Sequence, residues 1–227
     1  MKDTDFIFKW IDNCKYITDN IKKELENENE YIWNKYNFRN EKGTQENIKC
    51  IPLFWINHFW MDMSLNKPVN IYRFIEFERY FSFVEFIKDR LQYKYPNTIL
   101  YQVAFTNLPK QKDIYPHTDC ISKCAYPYRI HVVIKSNSDV LFFIDNIAHR
   151  FKEGEIVEIN NMKIHSVLNS SNEDRIHLLM DLIDLTHLPY GFQYKDINYK
   201  DIIENIDFFF GKNGQIRPNC RLPNIIL

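Results

Sequence analysis

Glycines and paired cysteines are scarce in this chain. Only 5 of its 227 residues are glycine, whereas loops that cradle phosphate groups need closely spaced glycines to let the backbone approach. The 5 cysteines fall at irregular positions without a C-x-x-C pair. A glycine-rich nucleotide-binding loop, a zinc ribbon and a disulfide framework are therefore not expected.

Long apolar runs and a charge excess are missing as well. No stretch of about 18 apolar residues, the length needed to span a membrane, occurs, and the charged N-terminus MKDTDFIFKW lacks the apolar segment of a signal peptide. We therefore expect a cytoplasmic protein without a membrane partner. With 29 basic and 30 acidic residues the net charge is −1. Nucleic-acid binders usually carry a basic excess, so no nucleic-acid partner is expected.

The apolar content is sufficient for one domain with a buried core. Hydrophobic residues make up 45% of the chain and aromatic residues 16%, as in soluble globular proteins of this length. We predict a single domain over 1–227. In it, a mostly helical N-terminal region (1–98) precedes a β-rich core (99–185) and a helical C-terminal extension (186–227).

Three stretches outside the core predict helices. Residues 16–39 carry many charges and few apolar anchors, which is typical of one or two solvent-exposed helices. Residues 71–93 repeat apolar side chains at the spacing of one helical face, at Phe74, Phe77, Phe81, Val84 and Leu91. This stripe is interpreted as a helix packed on a sheet rather than as a ligand-binding box. A last helix is predicted over 197–209.

The core is predicted to consist of short strands. Six β-rich runs follow one another, at 99–105, 130–135, 140–145, 155–159, 164–168 and 176–184. Turn-forming stretches such as SNSD (136–139) and NSSNED (169–174) separate them. Such a series fits a β-sandwich or barrel and not alternating βαβ units.

A candidate metal site lies within these strands. His117, Thr118 and Asp119 form an H-x-D motif, and in an extended segment the first and third side chains point to the same side, so both can reach one ion. His165, on a later strand, is the natural third ligand. It would complete a 2-His-1-carboxylate triad, which suits non-haem Fe(II). By itself the tripeptide is a weak signal, because surface turns also contain His and Asp.

Arg175 supplies a second signal, ten residues after His165. A strand, the turn at 169–174 and a returning strand would bring its guanidinium back beside the metal. The arginine fork donates two parallel hydrogen bonds, which suits the far carboxylate of a dicarboxylic acid. The alternative is a strand-end arginine paired with Glu173 or Asp174. The combination with the H-x-D motif and the distal histidine favours the first interpretation.

These motifs resemble the aspartyl/asparaginyl β-hydroxylase-like branch of the Fe(II)- and 2-oxoglutarate-dependent dioxygenases. The resemblance covers roughly residues 99–185. It is carried by the strand that ends at Thr106, by YPHTD (115–119), by RIHVVIKSN (129–137) and by the segment from Gly154 to Asp184. It implies a mainly β fold with flanking helices, built on a double-stranded β-helix (a cupin-like jelly roll), and dependence on Fe(II), 2-oxoglutarate and O₂.

For the metal, the resemblance implies that His117, Asp119 and His165 bind Fe(II). The animal aspartyl/asparaginyl hydroxylases lack the acid of H-x-D, so this chain looks closer to short members with a full triad, such as the proline cis-hydroxylases. Halogenating relatives generally have a small residue at the position of Asp119. The acid therefore favours hydroxylation.

For the organic ligands, the resemblance implies that Arg175 binds the distal carboxylate of 2-oxoglutarate, with the help of the Thr106 hydroxyl. His131 would contact 2-oxoglutarate near the metal, and Arg129 would pair with a carboxylate of the substrate. The animal enzymes use a second basic residue for the substrate, two positions before the arginine of R-x-H. Pro127 stands there in this chain, which argues against an Asp or Asn side chain as the substrate.

The implied function is hydroxylation of a C–H bond of an amino acid or amino-acid residue, with release of succinate and CO₂. A free amino acid is slightly preferred over a peptide, because no peptide-docking domain is evident. The alternative is a non-catalytic, cupin-like module that binds a metal or a small acid, in which the spacing of Arg175 would have little purpose. Nucleic-acid or histone demethylation on the same core would call for a basic groove.

The remaining metal-binding residue types are given structural roles. Four histidines are expected to pack against aromatics or to lie on strands and near strand ends: His58, His149, His177 and His187. Cys120 and Cys124 flank the H-x-D motif and raise the alternatives of zinc binding or redox control. No matching cysteine pair occurs elsewhere in the chain to support either one.

Overall fold

The computed structural model of the protein describes residues 6–35, 48–56, 66–119 and 127–198. Within these ranges the helices are α1 (Lys15–Glu26), α2 (Glu30–Lys35), α3 (Phe81–Gln92) and the 3₁₀ helices Ile75–Tyr80 and Leu185–His187. The strands are β1 (Phe8–Asn13), β2 (Lys49–Ile56), β3 (Val69–Phe74), β4 (Thr98–Leu108), β5 (Lys112–His117), β6 (Tyr128–Lys135), β7 (Val140–Ile144), β8 (Ile147–His149), β9 (Glu155–Ile159), β10 (His165–Asn169), β11 (Arg175–Asp184) and β12 (Phe192–Ile197). No helix in this part of the chain is long and apolar enough to cross a membrane.

The strands form two sheets that pack face to face. The larger has the order β1-β9-β6-β11-β4-β2-β3-β12 and the smaller the order β5-β10-β7-β8. Apolar side chains of both sheets share one buried cluster, which includes Leu108, Val133 and Val157 from the larger sheet and Phe142 and Val167 from the smaller. The predicted mainly β, jelly-roll class is confirmed, and the two sheets remain open and do not close into a barrel.

The central strands of the larger sheet, β4, β6 and β11, are buried on both faces. Helices α1 and α3 cover its outer face, where Ile21 and Leu91 join the same cluster as Val132. Its inner face looks into the space between the sheets. This explains why β11 reads as a continuous apolar run, with nine of its ten residues buried.

Side chains alternate between these two faces along the strands. Even-numbered residues of β6 and β11, such as Ile130 and Leu178, pack in the outer cluster beneath the helices. Odd-numbered residues such as Val133 point into the space between the sheets. Five buried polar residues belong to this inner set, and they are Arg129, His131, Arg175, His177 and Asp181.

The six predicted runs correspond to β4, β6, β7, β9, β10 and β11. The exposed helices expected over 16–39 are α1 and α2, as far as this stretch is described. The N-terminal region also contributes β1, β2 and β3 to the larger sheet. The helix predicted at 197–209 lies outside the described residues, apart from its first two positions.

The helix predicted over 71–93 begins later than expected. Residues up to Phe74 belong to β3, a 3₁₀ helix follows, and the α-helix starts at Phe81. The prediction was wrong over the first part because β3 pairs with β2 and β12, and these long-range backbone hydrogen bonds outweigh the local helical spacing. The apolar stripe itself is buried against the sheet, as expected.

Gly154 joins the turn before β9 to the start of α1. Its φ is +90°, its N–H donates to the carbonyl of Val133, and its carbonyl accepts from the N–H of Cys14, both at 2.8 Å. A Cβ at this position would lie 2.7 Å from the Cα of Lys15. The backbone conformation and this close approach both require glycine.

We expect Gly154→Ala to lower the free energy of unfolding by about 1–3 kcal/mol, because the left-handed conformation and the backbone clash add. Urea denaturation would measure it. Gly191→Ala is the matched control, since its φ is +75° but nothing lies within 4 Å of the added Cβ. Equal losses in the two variants would show that the contact with Lys15 has no effect.

Candidate metal centre

Three potential metal ligands converge where β5 and β10 meet. His117 ends β5, His165 begins β10, and the two are direct partners in the antiparallel ladder. Their ring centroids are 4.3 Å apart. Asp119 follows two residues after His117, and its backbone N–H donates to the carbonyl of Asn161 at 3.0 Å. One ligand atom from each of the three side chains can be chosen so that all lie within 4.8 Å of one another.

The distances within this group suit ligands that share an ion. Nε2 of His117 is 3.8 Å from Oδ1 of Asp119, and Nε2 of His165 is 3.7 Å from Oδ2 of Asp119. Both separations are longer than a hydrogen bond. The carboxylate of Asp119 is buried, with 2% of the residue exposed.

Each imidazole is oriented through its other nitrogen. Nδ1 of His117 lies 2.7 Å from the carbonyl oxygen of Tyr115, and Nδ1 of His165 lies 3.0 Å from that of Lys163. A carbonyl can only accept, so Nδ1 carries the proton in both rings and Nε2 presents its lone pair. Burial and the neighbouring His165 lower the pKa of His117 to about 4, so this ring is neutral near pH 7. Two imidazoles and one carboxylate fit a non-haem Fe(II) ion.

A cavity opens at this cluster and extends between the sheets. All seven residues singled out from the sequence line it: His117, Asp119, Arg129, His131, His165, Thr106 and Arg175. Apolar side chains form the rest of its wall, at Ile48, Ile114, Phe142, Val167 and Leu179. The roles assigned to the individual residues stay predictions.

Arg175 is buried inside the cavity. One of its terminal nitrogens lies 2.7 Å from Nδ1 of His177, and its guanidinium carbon lies 5.9 Å from the centre of the Phe142 ring. The alternative partners considered from the sequence bond elsewhere. Asp174 accepts from the side chain of Asn107 and from the N–H of Lys110, and Glu173 lies 3.6 Å from the amine of Lys135.

His177 is a site residue, although its place on a predicted strand indicates only a structural role. Burial, and then the charge of Arg175, hold its pKa well below the ordinary value, so it is neutral and its Nδ1 can accept from Arg175. The same Nδ1 lies 3.1 Å from Nδ1 of His131, and the hydroxyl of Thr106 donates to its carbonyl at 3.3 Å. Its position two residues after Arg175 on the same strand is the signal that could have identified it.

Arg129 is held by two carboxylates. Its Nε and Nη2 donate to the two oxygens of Asp181 at 2.8 and 2.7 Å, and its Nη1 donates to Oδ2 of Asp119. Burial opposes the charge, but the two carboxylates outweigh burial and raise the pKa of Arg129. The guanidinium is therefore fully charged. Its predicted contact with a substrate carboxylate stays a prediction.

The other candidate residues lie apart from this site or outside the described chain. His149 stacks on Phe151 at 6.1 Å between ring centroids, and His187 is exposed in a 3₁₀ helix. His58, Cys120 and Cys124 lie outside the described residues.

A cluster of two histidines and one carboxylate, with a buried arginine in the same cavity between two facing sheets, fits one class of protein, the 2-oxoglutarate-dependent non-haem iron dioxygenases. The family described as aspartyl/asparaginyl beta-hydroxylase matches residues 12–184, well over half of the chain. The chain belongs to the aspartyl/asparaginyl β-hydroxylase family. Membership in this family agrees with the class predicted from the sequence.

Several solved structures are similar in fold. An oxidoreductase of the 2OG-Fe(II) oxygenase family from Burkholderia pseudomallei is 9% identical, with a TM-score of 0.47 over 69% of this chain and 79% of that one. The viral collagen prolyl hydroxylase of Paramecium Bursaria Chlorella virus-1 is 11% identical, with a TM-score of 0.45 over 79% and 97%.

A third similar structure is the non-heme monooxygenase ThoJ in complex with nickel. It is 12% identical, with a TM-score of 0.37, and the match covers 43% of this chain. The chain spans about half of the ThoJ chain, 49% of its length. No similar protein was found among curated protein sequences.

Proposed function

We propose that this chain hydroxylates a C–H bond of an amino acid or amino-acid residue, with 2-oxoglutarate and O₂ as cosubstrates and succinate and CO₂ as co-products. A free amino acid is slightly preferred over a peptide. One observation carries the proposal: the three ligand side chains of the metal cluster and the buried Arg175 line the same cavity.

His117, Asp119 and His165 would hold Fe(II). When bound, Fe(II) together with 2-oxoglutarate and O₂ supplies the oxidising power for hydroxylation. The chain contributes two imidazoles, which the carbonyls of Tyr115 and Lys163 orient. It also contributes one carboxylate, which offsets part of the positive charge of the ion.

Arg175, Thr106 and His131 would bind 2-oxoglutarate. The guanidinium of Arg175 would donate to the distal carboxylate, and burial strengthens such a charge-assisted bond because little water competes. The apolar side chains of Phe142 and Val167 suit the methylene groups between the two ends of the cosubstrate. The same apolar walls exclude water from the reacting end.

An amino-acid substrate is supported by the family to which the chain belongs. The departure at Pro127 argues against an Asp or Asn side chain, so the aliphatic part of another amino acid is the proposed site of attack.

Anaerobic titration of the purified protein with Fe(II) and then with 2-oxoglutarate tests the proposal. We expect the weak visible charge-transfer band that an Fe(II)–2-oxoglutarate chelate gives. His187→Ala should retain the band, because His187 is exposed and lies away from the cavity. A folded protein that binds Fe(II) but gives no band would contradict the proposal. If the band forms, succinate release in a screen of free amino acids and short peptides would identify the substrate.

A further inference from the structure

Three buried charged side chains lie in a row from the metal centre into the larger sheet. Arg129 on β6 and Asp181 on β11 are direct cross-strand partners, and Asp119 lies on the other side of the guanidinium. At most 6% of each of these three residues is exposed. Burying a charge costs free energy unless the charge is paired, so a change in any one of these three side chains would deprive another buried charge of a partner.

We propose that Arg129 and Asp181 are positioning residues for the metal ligand Asp119. Asp181 fixes the guanidinium through two hydrogen bonds, and Arg129 in turn fixes the carboxylate of Asp119. This inference rests on the proposed function, because it takes Asp119 as a ligand of the metal. It differs from the role predicted for Arg129 from the sequence, which was to pair with a substrate carboxylate.

The position of Asp119 explains why such support is needed. Asp119 lies beyond the end of β5, outside the strand ladder, and its backbone is held by the bond to Asn161. A short side chain on a segment without regular structure samples several rotamers, and ordering it costs part of the metal-binding free energy. Arg129 restricts the rotamers of Asp119, because its Nη1 donates to Oδ2. A carboxylate that is held through one oxygen can present its other oxygen to an ion.

The geometry of Arg129 explains the part of Asp181. A guanidinium is planar and rigid, and a bidentate carboxylate fixes both its position and its plane. The two bonds to Asp181, at 2.8 and 2.7 Å, occupy the edge formed by Nε and Nη2. A substrate carboxylate that sought this edge would have to displace Asp181. The third bond, from Nη1, points to Asp119.

Titration of the metal-free protein with Co(II) alone tests the inference, because the visible spectrum of Co(II) reports both affinity and coordination geometry. Asp181→Asn keeps the shape of the side chain but loses its charge, and Arg129→Lys keeps the charge but loses the planar fork that forms two parallel bonds to Asp181. We expect both variants to bind Co(II) at least about 10-fold more weakly than the unaltered protein, the lower end of the effect of outer-shell partners. The spectrum of the bound ion should change as well.

Glu158→Gln is the matched control. Glu158 is a buried carboxylate on β9 of the same sheet, with 1% exposed, and it accepts a hydrogen bond from the hydroxyl of Tyr95 at 2.8 Å. It does not line the cavity. Loss of this charge should leave the Co(II) affinity unchanged, which separates a positioning effect from a general effect of removing a buried acid.

A double variant, Arg129→Met with Asp181→Leu, keeps the test decisive if a single variant does not fold. It removes both charges of the pair together, so no uncompensated charge from the pair is left in the interior. Co(II) affinity equal to that of the unaltered protein, in this variant or in folded Asp181→Asn, would overturn the inference and favour Arg129 as a substrate ligand. Failure of the unaltered protein itself to bind Co(II) would instead overturn the proposed function.

Discussion

Alanine at position 119 is expected to abolish tight metal binding while leaving the metal-free protein folded. The metal would lose its one anionic protein ligand, so the affinity should fall by more than the roughly 10- to 100-fold that follows loss of an outer-shell partner. The fold should survive because Arg129 keeps its bidentate pair with Asp181. Asp119, Arg129 and Asp181 together carry a net charge of −1, and the substitution changes it to 0.

Thermal unfolding with and without Fe(II), under anaerobic conditions, would measure both effects. At a metal concentration about 100 times the dissociation constant, binding should stabilise the unaltered protein by roughly 2.7 kcal/mol. Asp119→Ala should gain less than about 0.4 kcal/mol at the same metal concentration, although its unfolding without metal is close to that of the unaltered protein. Asp145→Ala, which removes an exposed partner of Lys163, is the control. Metal-dependent stabilisation that persists in Asp119→Ala would exclude this residue as a ligand.

The strands of the core could be predicted from the sequence because they are apolar, rich in β-branched residues and separated by turn-forming stretches. This holds for β4, β6, β7, β9, β10 and β11. Strand β5, KDIYPH, has one buried residue in six, so its apolar pattern does not indicate a strand. It forms because its backbone pairs with β10, and such a long-range contact leaves no local pattern.

The candidate site could be predicted in its composition but not in its connections. Spacing and resemblance were enough to single out His117, Asp119, His165 and Arg175, all of which line the cavity. Asp181 was missed because its significance depends on the register of β11 against β6, which sets it opposite Arg129. The sequence shows which residues share a face of one strand, and it does not show which residue of another strand each of them meets.

His177 was missed for a related reason. Alternation along β11 places it on the same face as Arg175, which the sequence could indicate. Its role depends on burial, which keeps the ring neutral and lets Nδ1 accept a hydrogen bond from the guanidinium of Arg175. An imidazole on the surface would be free to take up a proton, and its charge would repel Arg175. Burial of a polar side chain is a property of the packed structure, because it depends on the opposite sheet.

Replacing Arg175 with alanine is expected to weaken 2-oxoglutarate binding about 100-fold or more. Each hydrogen bond to a charged group contributes about 1.5–3 kcal/mol, and the guanidinium fork can donate two to one carboxylate. The affinity for the metal should not change, because Arg175 is not one of the clustered ligands. Anaerobic titration of the Fe(II)-loaded protein with 2-oxoglutarate, followed by the charge-transfer band, would give the affinity for 2-oxoglutarate. Arg150→Ala is the control, since Arg150 is exposed and its Nε donates to the carbonyl of Ser138.

A second ligand turns this substitution into a test of which end of 2-oxoglutarate Arg175 binds. 2-Oxobutyrate has the same keto acid group and lacks the distal carboxylate. If Arg175 binds that carboxylate, the substitution should lower the affinity for 2-oxoglutarate and leave the weak binding of 2-oxobutyrate nearly unchanged. The effects of removing the guanidinium and of removing the distal carboxylate would then not add. Equal losses for both ligands would mean that Arg175 acts on the keto acid end or on the metal centre. Either result would contradict the predicted contact of Arg175 with the distal carboxylate.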